Sequence, residues 1–368
     1  MNMKKILVTG AAGFIGKNLC LMLEQQGYEV LKFDRNTEEP LEELVKQADM
    51  VMHLAGVNRP MSTQEFYDGN ANLTVRLIRI LEADGRKLPL LLSSSIQAER
   101  DNDYGKSKKM AEDAVFAYGR QTGSEVYVFR LDNAFGKWCR PNYNSVVATF
   151  CNNIARNLPV TINDPDAEVR FVYIDDICHA FISCIAQSGS DGYLKVSPSY
   201  PVTIGKLAEL LQGFHDSRST LQVPELADGF EKKLYSTYLS YLPEEQFSYN
   251  LLSHTDQRGS FTEFLKSPDR GQVSINIAHP GIVKGNHWHH TKNEKFLVVK
   301  GTGIIRFRKV GTDHVIEYPV SDQKLEVVDI PVGYTHNIEN TGTEDMITIM
   351  WANEPFDPDH PDTFYEEV

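Results

Sequence analysis

Apolar and polar positions follow two different rhythms along this chain. Through the first half, short apolar runs at 5–9, 29–33, 50–54, 90–93, 126–130 and 171–174 read as buried strands. Between them, apolar residues recur at helical spacing over 15–26, 41–47, 70–83, 106–118, 146–156 and 177–187. Strands that alternate with helices predict a doubly wound α/β fold, a parallel sheet covered by helices on both faces. From about 200 to 245 the pattern is mostly helical, clearest at 203–214 and 239–241. Beyond that the helical rhythm stops. Strand-like segments at 273–278, 295–300, 303–308, 314–318, 324–329 and 346–351 are separated by Pro280-Gly281, Gly301, Gly311, Pro331 and Gly342. Regularly spaced short strands with turn residues between them predict an all-β barrel or sandwich. The expected domains are therefore 1–245 and 250–368.

Composition adds limits. The 368 residues are 41% hydrophobic and 24% charged, enough apolar material for more than one core. No apolar run approaches the ~18–20 residues that span a bilayer. The start carries two lysines and an apolar stretch, yet its glycines and missing cleavage site argue against a signal peptide. A cytoplasmic protein is expected. The formal net charge of −13 disfavours nucleic-acid polymers and anionic membrane surfaces, because both require a basic face. The five cysteines form no CxxC and all precede residue 185, so free thiols are expected. Eight of the eleven histidines lie at 254 or later. This opposite skew is the first sign of two chemistries in one chain.

The first chemistry begins at Gly10, Gly13, Phe14, Ile15 and Gly16, a glycine turn between a strand and a helix. Such a turn lets a pyrophosphate approach the backbone at a helix N-terminus. Asp34 ends the second strand, where an acid can hold a ribose hydroxyl and favour NAD; Arg35 follows and can favour the 2′-phosphate of NADP. Tyr104 and Lys108 stand four residues apart on a helical stretch, hence on one face. An ammonium near the phenol is expected to lower its pKa and let Tyr104 pass a proton to a carbonyl oxygen. A hydroxyl from the end of the preceding strand, Ser95 or alternatively Ser94, would polarise the same oxygen.

These segments resemble the extended short-chain dehydrogenase/reductase family, whose members often act on nucleotide sugars. The resemblance includes Leu54-Ala55-Gly56, Asn70 with Thr74, the 130–136 stretch around Asn133, and Arg170 in 170–176. Asp132 stands where the family usually has proline. The resemblance implies catalysis by Ser95, Tyr104 and Lys108. It implies a cofactor site at Gly10, Gly13, Phe14, Ile15, Gly16, Asp34, Arg35, Leu54, Ala55, Gly56, Asn70 and Lys108. Asn133 and Arg170 would bind substrate. Lys137 and Arg140 are further basic groups that could meet an anion.

The second chemistry is a histidine cluster: Gly281-x5-His287-x-His289-x4-Glu294-x6-Gly301, then Pro331-x-Gly333-x2-His336-x3-Asn340. His287 and His289 are read as alternating along one strand and facing one side. With Glu294 and His336 they can surround a divalent metal. The spacing resembles the two motifs of the cupin family, although Leu325 occupies a position where that family has glycine. His290 is expected to point away. The segment 256–263 also resembles cupin-type nucleotide-sugar epimerases.

A reductase half followed by a cupin half is similar to a family of bifunctional enzymes of capsular polysaccharide synthesis. That resemblance implies NADP(H), Zn2+, a homodimer and a UDP-sugar substrate. The cupin domain would epimerise C3 of a UDP-2-acetamido-2,6-dideoxy-4-keto-hexose. The reductase domain would reduce C4 to give UDP-2-acetamido-2,6-dideoxy-L-talose. Two alternatives stay open: a single-function reductase with a structural or dimerising cupin, and a non-enzymatic NADP or sugar-nucleotide sensor.

Overall fold

β1 (Lys5–Thr9) is buried over nearly its whole length, because it lies inside a sheet covered on both sides, with a strand paired along each edge. The computed structural model describes residues 3–368. β1 leads into α1 (Phe14–Gln25), β2 (Glu29–Phe33), α2 (Leu41–Gln47), β3 (Met50–His53) and the short α3 (Thr63–Phe66). A π-helical turn, Tyr67–Asn72, precedes α4 (Leu73–Asp84). Then come β4 (Leu90–Ser95), α5 (Asp103–Thr122), β5 (Val126–Leu131), β6 (Asn133–Phe135), α6 (Val146–Ala155), β7 (Glu168–Tyr173), α7 (Ile174–Ser183), β8 (Tyr193–Leu194), β9 (Tyr200–Thr203), α8 (Ile204–Thr220) and α9 (Gly229–Leu239).

Six parallel strands run in the order β2-β1-β3-β4-β5-β8. Successive β1 residues serve opposite faces. Ile6 and Val8 pack with Leu19 of α1 and Phe181 of α7, while Leu7 packs with Val45 of α2, Leu77 of α4 and Val115 of α5. A three-stranded sheet β6-β7-β9 stands apart. The chain crosses β1 to pass from β2 to β3, so the crevice beyond the carboxyl ends of β1 and β3 is the switch point where such sheets take ligands.

Two helical expectations shift. The helix expected at 70–83 becomes α-helical only at Leu73, after the π-helical turn Tyr67–Asn72, where Thr74 Oγ1 donates to Asn70 O at 2.7 Å. The helical piece expected at 239–241 is the end of α9 and the turn after it. That helix begins ten residues earlier, where Asp228 caps the N–H groups of Phe230 and Glu231 at 2.6 and 3.1 Å.

The remaining strands are β10 (Ser253–Asp256), β11 (Gly259–Ser267), β12 (Gly271–Ala278), β13 (Val283–Trp288), β14 (Glu294–Lys300), β15 (Thr302–Lys309), β16 (Val315–Ser321), β17 (Val327–Ile330), β18 (Tyr334–Asn340), β19 (Met346–Ala352) and β20 (Phe364–Tyr365). They form two antiparallel sheets, β10-β11-β12-β19-β14-β17 and β16-β15-β18-β13-β20. Phe296, Val298 and Met346 of the first meet Ile305, Phe307 and Ile338 of the second in one core. This is the expected all-β cupin arrangement. The chain divides into one unit running to Gln212 plus Ala227–Pro243, and a second made of Gly213–Leu226 and Glu244–Val368. No described helix is long and apolar enough to cross a membrane.

Candidate functional site

The glycine turn is built by contacts that exclude side chains. A Cβ at Gly16 would lie 2.1 Å from the Gly10 carbonyl oxygen, and Gly10 itself has φ +72°. The turn delivers the N-terminus of α1, whose first turn carries no acidic residue, to the carboxyl edge of β1. Phe14 and Ile15 start that helix. Asp34 sits beside the turn, where its carboxylate accepts the Ala12 N–H at 2.9 Å and the Arg35 N–H at 2.7 Å. Arg35 is exposed. Leu54, Ala55 and Gly56 continue from β3 on the opposite side, with the Leu54 N–H bonded to Thr9 O at 3.1 Å. These residues fit the diphosphate and ribose of a dinucleotide.

Asn70 is buried, and its amide is committed to protein. It accepts from Val57 N at 2.9 Å and donates to Val57 O at 3.1 Å and to Ser107 Oγ at 3.0 Å. It therefore shapes the loop after Gly56. His53, the last residue of β3, is held between Thr9 Oγ1 at 2.6 Å and Thr74 Oγ1 at 3.0 Å. Burial and the nearby Lys108 charge bring its pKa down to about 3, so it bridges the two threonines as a neutral ring.

α5 places the tyrosine and lysine. Asn102 caps it by accepting the Gly105 N–H at 2.8 Å. Gly105 lets the helix start against the loop after β4: a Cβ there would lie 2.3 Å from Arg100 O and 2.6 Å from Gln97 O. This close approach accommodates the short Ser95–Tyr104 connection. Ser94 donates to Glu112 Oε1 at 2.6 Å inside the protein. Ser95 caps the following turn by accepting Gln97 N–H at 3.2 Å, and its hydroxyl lies beside the Tyr104 phenol.

The expected effect of Lys108 on Tyr104 is corrected. Burial raises the tyrosine pKa, and Ser95 opposes this only in part. The Tyr104 hydroxyl donates to Asn58 Oδ1 at 3.3 Å, whereas Lys108 Nζ donates to Ser93 O at 3.2 Å and lies beneath Gly56. The ammonium thus faces the loop after β3 rather than the phenol. Burial lowers its own pKa to about 8, against an opposing pull from Glu112.

Asn133 and Arg170 come together at β6 and β7, where Asn133 Nδ2 donates to Arg170 O at 3.1 Å. Both are exposed. Lys137 is taken by Asp175 at 2.6 Å, and Arg140 lies over the Tyr143 ring.

In the second unit, His287, His289, Glu294 and His336 offer ligand atoms that all lie within 4.8 Å of one another. His287 is in β13 and pairs across to His336 of β18, with ring centroids 4.6 Å apart. His289 stands one residue past the end of β13 rather than within it, because the strand gives way there to the turn leading to β14. Glu294 opens β14. His290 is exposed and packs on Trp288 and Phe364, outside the cluster.

Three cluster residues are buried, yet His289 Nε2, His336 Nε2 and Glu294 Oε2 make no hydrogen bond. Glu294 Oε2 is 3.3 Å from His336 Nε2 and 3.6 Å from His289 Nε2 without hydrogen-bonding geometry. Buried polar atoms without partners are costly. Atoms that converge on a point rather than on each other fit a divalent cation. Burial, reinforced by His336, lowers the His287 pKa to about 4, which keeps a ligating lone pair free. Burial would raise Glu294, but its contacts with His289 and His336 outweigh this and hold it well below the usual carboxylate range. Imidazole and carboxylate donors suit zinc, manganese, iron or nickel.

Sequence reasoning missed four participants: Asn58 on the tyrosine hydroxyl, Gly105, Glu112, and Asp362, whose carbonyl accepts from His289 Nδ1. Glu112 was readable, one turn past Lys108 on the same helix face. Asp362 had no local signal, being 73 residues from His289.

Comparison with known proteins defines the class. Residues 6–194 match the NAD dependent epimerase/dehydratase family, and residues 254–364 match the polysaccharide biosynthesis C-terminal domain. The chain belongs to the NAD dependent epimerase/dehydratase family, with that C-terminal domain appended. More particularly, it is 53% identical to the capsular polysaccharide assembling protein CapF from Staphylococcus aureus. The TM-score is 0.93, over 99% of this chain and 100% of that one. It is also 48% identical to a UDP-2-acetamido-2,6-beta-L-arabino-hexul-4-ose reductase of Pseudomonas aeruginosa, over 98% of both chains. A UDP-glucose 4-epimerase of Thermus thermophilus in complex with NAD, 19% identical, covers 64% of this chain and 98% of its own at a TM-score of 0.53. It shares the fold of the first unit.

Proposed function

We propose that this chain is a UDP-sugar 4-keto reductase of capsular polysaccharide synthesis whose cupin domain first epimerises the substrate. The substrate is a UDP-2-acetamido-2,6-dideoxy-4-keto-hexose. Epimerisation at C3 and reduction at C4 give UDP-2-acetamido-2,6-dideoxy-L-talose. The observation that carries the reading is the presence of two separate sets of reactive groups, Ser95–Tyr104–Lys108 and the His/Glu cage, in a chain alike over its full length to a UDP-4-ketosugar reductase.

The glycine turn, Asp34, Arg35 and the 54–56 loop would hold the nicotinamide cofactor, which would supply the hydride for reduction at C4. Tyr104 donates its proton to the C4 oxygen; its raised pKa keeps that proton in place until transfer. Ser95 donates a hydrogen bond to the same oxygen and draws charge towards it. Lys108 holds the cofactor side of the site through its ammonium. Asn133 and Arg170 bind the UDP moiety, with the Arg170 guanidinium on a phosphate. Arg35 selects NADPH. In the cupin domain, His287, His289, Glu294 and His336 would hold Zn2+, which would supply positive charge to that site. The enzyme works as a cytoplasmic homodimer.

Product NMR in heavy water, with NADPH and the UDP-4-keto sugar, tests both steps. Deuterium at C3 is expected, and it should persist in Tyr104→Phe when NADPH oxidation is abolished. One observation favours a second reading, a reductase with a structural metal: four protein donors and nearly complete burial resemble closed structural zinc sites. Under that reading C3 gains no deuterium and reduction is retained.

A further inference from the structure

The last residues of the chain lie directly on the cage. β20 adds to the edge of β13 and pairs Tyr365 with His287 and Phe364 with Trp288. Just before it, Asp362 engages the whole turn between two cage residues, His289 and Glu294. Its carboxylate accepts the backbone N–H groups of His290 at 2.9 Å, Thr291 at 2.7 Å and Lys292 at 2.8 Å, and the Thr291 hydroxyl at 3.0 Å. Its backbone carbonyl accepts from His289 Nδ1. Phe364 stacks on Trp288 at 5.0 Å and meets His290 at 4.9 Å. Farther along, the Glu366 carboxylate pairs with Arg308 at 2.9 Å rather than with a cage residue.

These bonds have two consequences. Three successive N–H groups aimed at one carboxylate hold the turn in a single shape, and that shape sets the distance between His289 and Glu294. The bond from Nδ1 assigns the proton to that nitrogen, which leaves the Nε2 lone pair pointing towards Glu294 and His336. A ligand whose ring and tautomer are fixed beforehand loses little freedom when a cation arrives.

We propose that Asp362 is a positioning residue for the cation site and that 362–365 is a strap holding His289 and Glu294 in ligating geometry. This rests on reading the His/Glu cluster as a metal centre. The test uses the full-length chain stripped of metal. Zinc affinity is measured by competition with a chromophoric chelator, and Co2+ absorption bands report ligand geometry. Asp362→Ala keeps the backbone carbonyl on His289 but removes the carboxylate that fixes the turn, so it should weaken zinc binding about tenfold, the low end for a change behind a metal ligand, and should shift the cobalt bands. Asp362→Asn, which keeps one acceptor oxygen, should fall between and carries the test if the alanine variant does not fold. Glu366→Ala removes a side-chain contact to Arg308 and leaves the Asp362 bonds to the 290–292 turn in place, so it should lower the unfolding midpoint and leave zinc affinity unchanged. Equal affinities in the unmodified chain and both Asp362 variants overturn the proposal. So does a Glu366→Ala loss as large as that of Asp362→Ala, since the strap would then act only through general stability. If the unmodified chain binds neither ion, the metal reading itself falls and the strap proposal falls with it.

Discussion

Glu112→Ala is the most informative single perturbation of the reductase half. Glu112 is fully buried in the middle of α5. It accepts from Ser94 Oγ at 2.6 Å, Arg130 Nε at 2.9 Å and Arg130 Nη2 at 2.7 Å. The helix that carries Tyr104 and Lys108 is thus fixed to β4 just before Ser95 and to β5. Removing one partner of a buried ion pair costs about 3–5 kcal/mol. Arg130 is not left wholly alone: it keeps Glu99 at 2.6 Å and the Tyr193 ring at 3.5 Å. The low end, about 3 kcal/mol, is therefore expected for the guanidinium. The orphaned Ser94 hydroxyl adds about 1 kcal/mol. Hydrogen exchange of peptides covering α5 reads this as a lower opening free energy, without requiring the two units to unfold together. Combining Glu112→Ala with Arg130→Ala should recover part of the loss, because no unpaired charge then remains. A Glu112→Ala loss below 1 kcal/mol, or a double variant costing the full sum of the singles, would refute the argument.

Other consequences can be measured directly. Reductive kcat/KM should fall as pH rises through about 8, where Lys108 loses its proton while Tyr104, raised by burial, keeps its own. Glu112→Gln removes a charge that supports the ammonium and should move that limb to lower pH; a flat profile up to pH 9 contradicts the assignment. The fold should gain stability between about 8 and 10.5, because over that window the unfolded chain still holds the Lys108 proton that the folded chain has lost. Gly16→Ala should weaken NADPH binding at least tenfold by fluorescence titration. Its Cβ meets only backbone, at 2.1 Å from Gly10 O and 2.8 Å from Ala11 Cα, and neither can yield without moving the turn. Arg35→Ala should raise the Michaelis constant for NADPH more than that for NADH, and unchanged values for both would remove Arg35 from cofactor selection.

Strand β1 and the barrel strands were legible because their hydrophobic periods are local. The glycine turn and the four-residue spacing of Tyr104 and Lys108 were legible for the same reason: turn geometry and a helix face are set by neighbours in sequence. The direction of the Lys108 ammonium was not. It depends on the Ser93 carbonyl and the Gly56 loop, which the parallel sheet brings up from other strands; burial, not Lys108, sets the direction of the Tyr104 shift. The choice of Ser95 over Ser94 was likewise open in the sequence. Adjacent strand residues face opposite sides, and only the packed helix shows Ser94 committed to Glu112.

By itself, then, the sequence determined two fold classes in order, a dinucleotide-type glycine turn and four metal-type side chains, all read from spacings of a few residues. The tertiary structure decided what each group faces. Orientation, burial and pKa depend on atoms far apart along the chain, as with Asp362 and His289, 73 residues apart and joined by one hydrogen bond. No local pattern encodes such a pairing, because it exists only once both sheets have closed around the cage.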